Sequence, residues 1–320
     1  MNKKRKAIIA GNEISELYTF RLGGYEQKVL IEGKSKDLPV VVTLHGGPGT
    51  PIPFSAGCRG LFPEFTDRFI MVYWDQLGCG INNHKIDESF TIDSFVDMTA
   101  DLLKEIRQLF PDNKLLLFAT SWGSVLSIKV LERHDSRIDG VVACGQIIKE
   151  VFSCEEVFET LRQSGCPPKN LEKIEKMSVE SITPAKMQLV SSSIRKYTAG
   201  YINKAGRQAP MGKMIMGLLS SPDYSLKDFL AVVINGYRNN ITLWKEILKL
   251  DLSENLKRVN IPYIMIQGDT DIVASTQIVK RVAENSGNPN LQYYVVKDSG
   301  HIPGADMMDK VFSMLTEQAF

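Results

Sequence analysis

Leu115-Leu116-Leu117-Phe118-Ala119-Thr120-Ser121-Trp122-Gly123-Ser124 is the stretch on which the fold turns. Its four leading apolar residues read as a strand covered on both faces, because a half-exposed strand would alternate. After Ser124 the apolar residues Val125, Leu126, Ile128, Val130 and Leu131 take up helical spacing. A strand that bends at once into a helix, with small residues two before and two after a serine, is the geometry of a nucleophile elbow. The bend crowds neighbouring backbone, so the flanking residues must be small, and it leaves Ser121 Oγ exposed above the sheet. The helix N-terminus there favours developing negative charge. Ala119 stands where the G-x-S-x-G pattern has its first glycine, and the competing role for Ser121 is an ordinary helix cap.

Similar apolar runs recur on either side: Val40 to Leu44, Phe69 to Trp74, Val141 to Cys144, Ile261 to Ile266 and Tyr293 to Val296. Helical patterns lie between them. The clearest carries Ile92, Phe95, Val96, Leu102, Leu103, Ile106, Leu109 and Phe110, with Thr91 as its cap and Pro111 as its stop. Alternating strands and helices predict an α/β protein with a mostly parallel sheet flanked by helices. The rhythm lapses after Gly145, where only helical patterns follow, such as Leu226, Phe229, Leu230, Val233 and Ile234, and it resumes near Ile261. The expected organisation is a core over 1–146 and 256–320 interrupted by a helical insertion over 147–255.

The 320 residues are 43% hydrophobic, enough for a large core, and 38 basic against 37 acidic side chains leave a formal charge of +1. So even a balance gathers neither phosphate backbones nor anionic lipid, and predicts a small neutral or zwitterionic substrate with no nucleic-acid or membrane partner. Cys58, Cys79, Cys144, Cys154 and Cys166 show no C-x-x-C pairing and read as free thiols in a reducing cytosol. Asn12 and Glu13 interrupt the N-terminal apolar residues before a signal core forms, and no apolar run reaches the roughly 18 residues of a membrane span. The expectation is a soluble cytoplasmic protein.

Three further segments carry chemistry. His45-Gly46-Gly47-Pro48-Gly49 follows a strand, and its glycines let main-chain amides approach a ligand. Such amides bind the oxyanion of acyl transfer, where losing one donor costs ~3 kcal/mol. One donor is assigned to Gly47, with Gly46 as the alternative, and the other to Trp122. A purely structural turn is the bland reading. Among four histidines, His45 sits in that turn, His84 lies in a polar loop, and His134 falls at the far end of the helix that Ser121 opens, ~20 Å away. His301 remains as general base, in a loop leaving the C-terminal edge of the sheet, where reacting groups gather in open α/β folds. Gly268-Asp269-Thr270-Asp271 offers the orienting acid; Asp271 is preferred, and Asp269 is expected to cap the turn through its own backbone.

Together with Asp75-Gln76-Leu77-Gly78-Cys79-Gly80 and Ser299-Gly300-His301, these motifs resemble the α/β-hydrolase family, and within it the proline iminopeptidase branch. The resemblance spans somewhat over half the chain. It implies the α/β-hydrolase fold with a helical cap, and an aminopeptidase whose cap glutamates hold the substrate's free amine. Leu77 stands where the branch carries arginine, Ala119-Thr120 replaces a pair of glycines, and the amine-binding motif is absent, which leaves Glu159 and Glu246 as candidates.

The leading expectation is therefore a serine aminopeptidase, Ser121, His301 and Asp271 reacting, that removes an N-terminal residue such as proline from short peptides. The alternative is a carboxylester hydrolase with the same three residues and an apolar pocket of Met214, Met216, Leu218 and Leu219. A non-catalytic binding protein is the third reading. No metal or organic cofactor is expected, because the nucleophile is activated by its own base.

Overall fold

A computed structural model of the protein describes residues 2–133, 137–234 and 236–320, so His134 lies outside the described residues. The described residues form an eight-stranded sheet of β1 (Ile14–Leu22), β2 (Tyr25–Gly33), β3 (Val40–Leu44), β4 (Ile70–Trp74), β5 (Leu115–Thr120), β6 (Gly140–Cys144), β7 (Tyr263–Gly268) and β8 (Leu291–Val296). Its order is β1-β2-β4-β3-β5-β6-β7-β8, parallel from β4 through β8 and antiparallel at β1/β2 and β2/β4. This is the α/β architecture expected.

β3 to β7 are buried along their whole lengths because both faces are covered. Val40, Val42, Leu115, Leu117 and Val141 belong to one apolar cluster, while Val41, Leu116, Phe118 and Val142 alternate into the other. One expectation needs correction, and one element was missed. β8 is an edge strand and half-exposed, with Val295 46% exposed, so its apolar run does not mark two-sided cover. The N-terminal hairpin β1–β2 also went unread, although Gly23-Gly24, both at positive φ, is the two-residue turn that joins such strands.

The remaining helices are α1 (Lys3–Gly11), α2 (Pro63–Thr66), α3 (Ile92–Leu109), α4 (Trp122–Arg133), α5 (Glu155–Gln163), α6 (Pro168–Glu175), α7 (Pro184–Tyr197), α8 (Met211–Leu219), α9 (Leu226–Val233), α10 (Ile241–Lys249), α11 (Ser253–Lys257), α12 (Thr276–Asn285) and α13 (Ala305–Ala319). α3 begins as the sequence predicts, with the Thr91 side chain accepting from the Ser94 amide. α1 is anchored by Arg5, whose buried guanidinium donates to the carbonyls of Gly57, Arg59 and Gly217.

α5 to α11 all lie between β6 and β7. The stretch leaves and rejoins the sheet at adjacent points: Lys149 and Asp251 form an isolated antiparallel bridge, and Leu252 N donates to Ile148 O at 3.0 Å.

Candidate active site

Ser121 is the residue between β5 and α4, held at a φ of +48° that a side chain seldom adopts. Its amide donates to Cys144 O (2.9 Å), and its carbonyl accepts from Ser124 Oγ (2.6 Å) and Ser124 N (2.8 Å). The bend brings α4 hard against β3. A Cβ at Gly123 would lie 1.9 Å from Leu44 O, and one at Gly46 would lie 3.2 Å from Ser121 Cβ. The glycine two residues after Ser121 is thus required by backbone contact.

His301 Nε2 lies 2.8 Å from Ser121 Oγ, and its Nδ1 lies 2.8 Å from Asp271 Oδ2. Asp271 is fully enclosed, and its other oxygen accepts from the amides of Val273 (2.9 Å) and Ala274 (3.0 Å), which fixes the carboxylate plane. Asp269 does not cap its own turn. Its two oxygens accept from the amides of Asp298 and Ser299 in the histidine loop, both at 3.0 Å, so it ties one rim loop to another. Gly268 and Gly145 permit this packing. A Cβ at Gly268 would lie 2.3 Å from Ser299 O, and one at Gly145 would lie 3.1 Å from the His301 ring.

His45 is buried, and burial pushes its imidazole down to about 4. Gln76 N donates to its Nε2 (2.9 Å), so the proton sits on Nδ1, which faces Gly46 O (2.9 Å). A neutral imidazole wedged in the turn is scaffold. The His84 ring packs on Tyr25, 4.9 Å between centroids.

The glycine turn closes through Thr50 N to Gly46 O (3.0 Å), with Gly47 at φ +119°. Trp122 opens α4, so its amide belongs to the first turn, where intrahelical acceptors are missing. Gln76 joins the two: its Nε2 donates to His45 O (3.2 Å) and its Oε1 accepts from Trp122 Nε1 (2.8 Å). Sequence reasoning gave Gln76 and Gly145 no role. Gln76 was legible only as part of the Asp75–Gly80 motif. The hydroxyl of Thr120 is buried and without a hydrogen-bond partner, and the residue lines a small pocket with His45 and Phe54.

The remaining candidates are not gathered there. Glu246 lies in α10 and its carboxylate accepts from the Ile92 amide at the start of α3 (2.7 Å). Glu159 is exposed on α5. Met214 and Leu218 are buried core residues, whereas Met216 (63%) and Leu219 (45%) are exposed, so these four do not face a common space. Among the described residues no three His, Cys, Asp or Glu side chains are grouped to hold a metal ion, and no helix is long and apolar enough to cross a membrane.

A hydroxyl, an imidazole and a carboxylate in series, beside first-turn and glycine amides, can move a proton from the hydroxyl while it attacks a carbonyl carbon. Comparison with known proteins gives the family and the fold. The profile of a family described as the alpha/beta hydrolase fold matches residues 39–306. A Bacillus subtilis (strain 168) protein named probable aminopeptidase YbaC is 23% identical over 317 residues, 95% of this chain and 94% of that protein. The crystal structure of proline iminopeptidase from Mycobacterium smegmatis superposes with a TM-score of 0.63 at 16% identity, covering 94% of this chain and 97% of that one. An esterase, EaEST, from Exiguobacterium antarcticum gives 0.60 at 14% identity, covering 94% and 98%. At such identities the two structures speak for the fold alone.

Proposed function

The chain belongs to the alpha/beta hydrolase fold family, and from that premise we propose that it is a serine aminopeptidase in which Ser121, His301 and Asp271 are the catalytic triad. Ser121 Oγ attacks the carbonyl of an N-terminal residue as His301 Nε2 takes its proton, giving a tetrahedral oxyanion held by the amides of Trp122 and Gly47 or Gly46. Collapse expels the peptide amine, which takes that proton from His301 and leaves an acyl-Ser121 ester. Water then attacks the ester, His301 accepting its proton and returning it to Ser121. Asp271 holds Nδ1–H and stabilises the imidazolium in both halves.

The observation that carries this reading is the pair of 2.8 Å contacts on the two nitrogens of one buried imidazole. The aminopeptidase assignment adds the full-length similarity to the B. subtilis protein. We read residues 147–255 as a cap on a core of 1–146 and 256–320, since that stretch leaves and rejoins the sheet side by side at Lys149 and Asp251. Five unpaired, buried cysteines fit a reducing cytosol.

A second reading, a carboxylester hydrolase with the same triad, is favoured by one observation: Glu246 is engaged with Ile92 and Glu159 is exposed, leaving the amine without an evident carboxylate. Proline and alanine naphthylamides, assayed beside acetyl and butyryl esters, separate the two. Cleavage of the amides supports the peptidase, and exclusive ester cleavage replaces it with the esterase. In either case Ser121→Ala is expected to lower kcat by roughly three to six orders of magnitude with unchanged circular dichroism, and to abolish fluorophosphonate labelling. Wild-type turnover by that variant ends both readings.

A further inference from the structure

One strap of the helical stretch is tied to the loop that carries His301. After α7 the chain runs through residues 198–207, and the histidine loop hydrogen-bonds to it repeatedly. His301 N donates to Gly200 O (2.9 Å), Ile302 N to Tyr201 O (2.9 Å) and Ala305 N to Arg207 O (2.9 Å). The acid loop joins in through Thr270 Oγ1 to Ala199 O (3.1 Å). Glycines mark each close approach. A Cβ at Gly300 would lie 2.7 Å from Ala199 O, one at Gly206 2.2 Å from Asp298 O, and one at Gly304 2.5 Å from Arg207 O.

Within this strap the Tyr201 ring stands at 82° to the imidazole of His301, 6.1 Å between centroids. The ring is itself held from α7: its hydroxyl meets Ser191 Oγ at 3.0 Å, and the Arg195 guanidinium sits 4.9 Å from its centroid. Asp271 anchors only Nδ1, so small rotations about the Cα–Cβ and Cβ–Cγ bonds of His301 can still carry Nε2 away from Ser121. A packed ring beside it limits that swing.

We infer that Tyr201 is a positioning residue for His301, and that through the 198–207 strap the helical stretch, not the sheet alone, sets the distance between His301 and Ser121. The inference rests on the triad proposed above. Displacing a reacting group by ~1 Å costs up to about a hundredfold in rate, and the consequence is a rate effect without a binding effect.

The test measures kcat and KM, on whichever naphthylamide or ester the wild type cleaves, for Tyr201→Leu, Tyr201→Phe, Gly206→Ala and Arg162→Gln, with a thermal melt of each. Tyr201→Leu is expected to lower kcat about ten- to a hundredfold with KM within about twofold. Tyr201→Phe keeps the ring and is expected to restore kcat to within about threefold of wild type. Gly206→Ala pushes the strap off Asp298 and gives an independent reading should Tyr201→Leu fail to fold; it is expected to lower kcat with the same signature. The Arg162 side chain, on α5 and outside the strap, pairs with Glu155 and Glu175 at the surface, so Arg162→Gln is expected to leave kcat unchanged. Wild-type kcat in both Tyr201→Leu and Gly206→Ala, or a loss carried wholly by KM, overturns the inference. If instead the wild type shows no Ser121-dependent turnover or labelling, it is the triad reading that fails.

Discussion

A methyl group added at Gly123, where α4 meets the sheet, would sit 1.9 Å from Leu44 O; added at Gly212 in α8, it would meet nothing within 4 Å. The same contrast runs through the side chains. Strands β3 to β7 are closed to solvent throughout, while α8, α9 and the residue after them expose Met216 (63%), Leu226 (72%) and Ile234 (73%). The rim of the sheet is determined contact by contact, because backbone from three loops must converge within hydrogen-bond distance. The outer faces of α8 and α9 are loosely determined by their neighbours, so their residues can vary without disturbing the sheet, whereas the 198–207 strap meets the rim at backbone contact distance. Chemistry is therefore expected to reside at the rim and selectivity in the helices.

The largest expected effect tests how strictly the rim assigns roles to its two neighbouring aspartates. Asp271→Asn turns an acceptor of Nδ1–H into a group that can donate to the ring and favour the wrong tautomer, so kcat/KM is expected to fall by about three to four orders of magnitude. Asp269→Asn keeps one acceptor for the amides of Asp298 and Ser299 and is expected to cost less than about tenfold, with stability lowered by roughly 1 kcal/mol. Kinetics of the two purified variants decide it. The reverse order would transfer the orienting role to Asp269.

An intermediate effect is expected where the two regions touch. Tyr224, between α8 and α9, donates to the enclosed carboxylate of Asp75 in the loop after β4, which also accepts from Ala56 N (3.1 Å) and Ile81 N (3.0 Å). Burial outweighs these bonds and pushes the carboxyl up to about 6 from 3.8. A carboxyl raised on folding holds its proton more tightly in the native state. Its contribution is therefore complete below pH ~4, fades as pH rises through ~6 and is flat above ~7, a change of roughly 2 to 3 kcal/mol. Urea unfolding of wild type and Asp75→Asn at pH 4, 5, 6 and 7 is expected to show the wild type losing that much relative to the variant as pH rises. A constant difference would mean that Asp75 stays ionised across the window and that the junction does not feel pH.

What could be read from the sequence follows the same division. The parallel strands were legible because two-sided burial leaves unbroken apolar runs such as Leu115 to Phe118, and the bend at Ser121 because backbone crowding keeps residue 123 a glycine. His301 emerged by elimination among four histidines, and the structure places it within 2.8 Å of both Ser121 and Asp271. The β1–β2 hairpin was not legible as part of a sheet, since its exposed positions dilute the apolar signal. Gly145 and Gln76 escaped notice because their roles depend on partners far off in sequence, His301 and Trp122. In the helices, spacing located the elements but not their surroundings, so the four residues of the expected apolar pocket divide between core and surface, and Tyr201 carried no local mark at all.

Glu246 marks the limit of the contrast, since it is a residue of the helical stretch that serves the core. Its carboxylate caps the first turn of α3 at the Ile92 amide, where the helix dipole favours negative charge. Glu246→Ala removes that acceptor and is expected to cost about 1 kcal/mol in unfolding free energy. If capping is its whole role, KM for a substrate with a free amine should change no more than KM for its N-acetylated counterpart. The measurement pairs a denaturant titration with both KM values. A tenfold rise in KM confined to the free-amine substrate, with stability untouched, would return Glu246 to the amine site and make the helical stretch the seat of selectivity through that carboxylate.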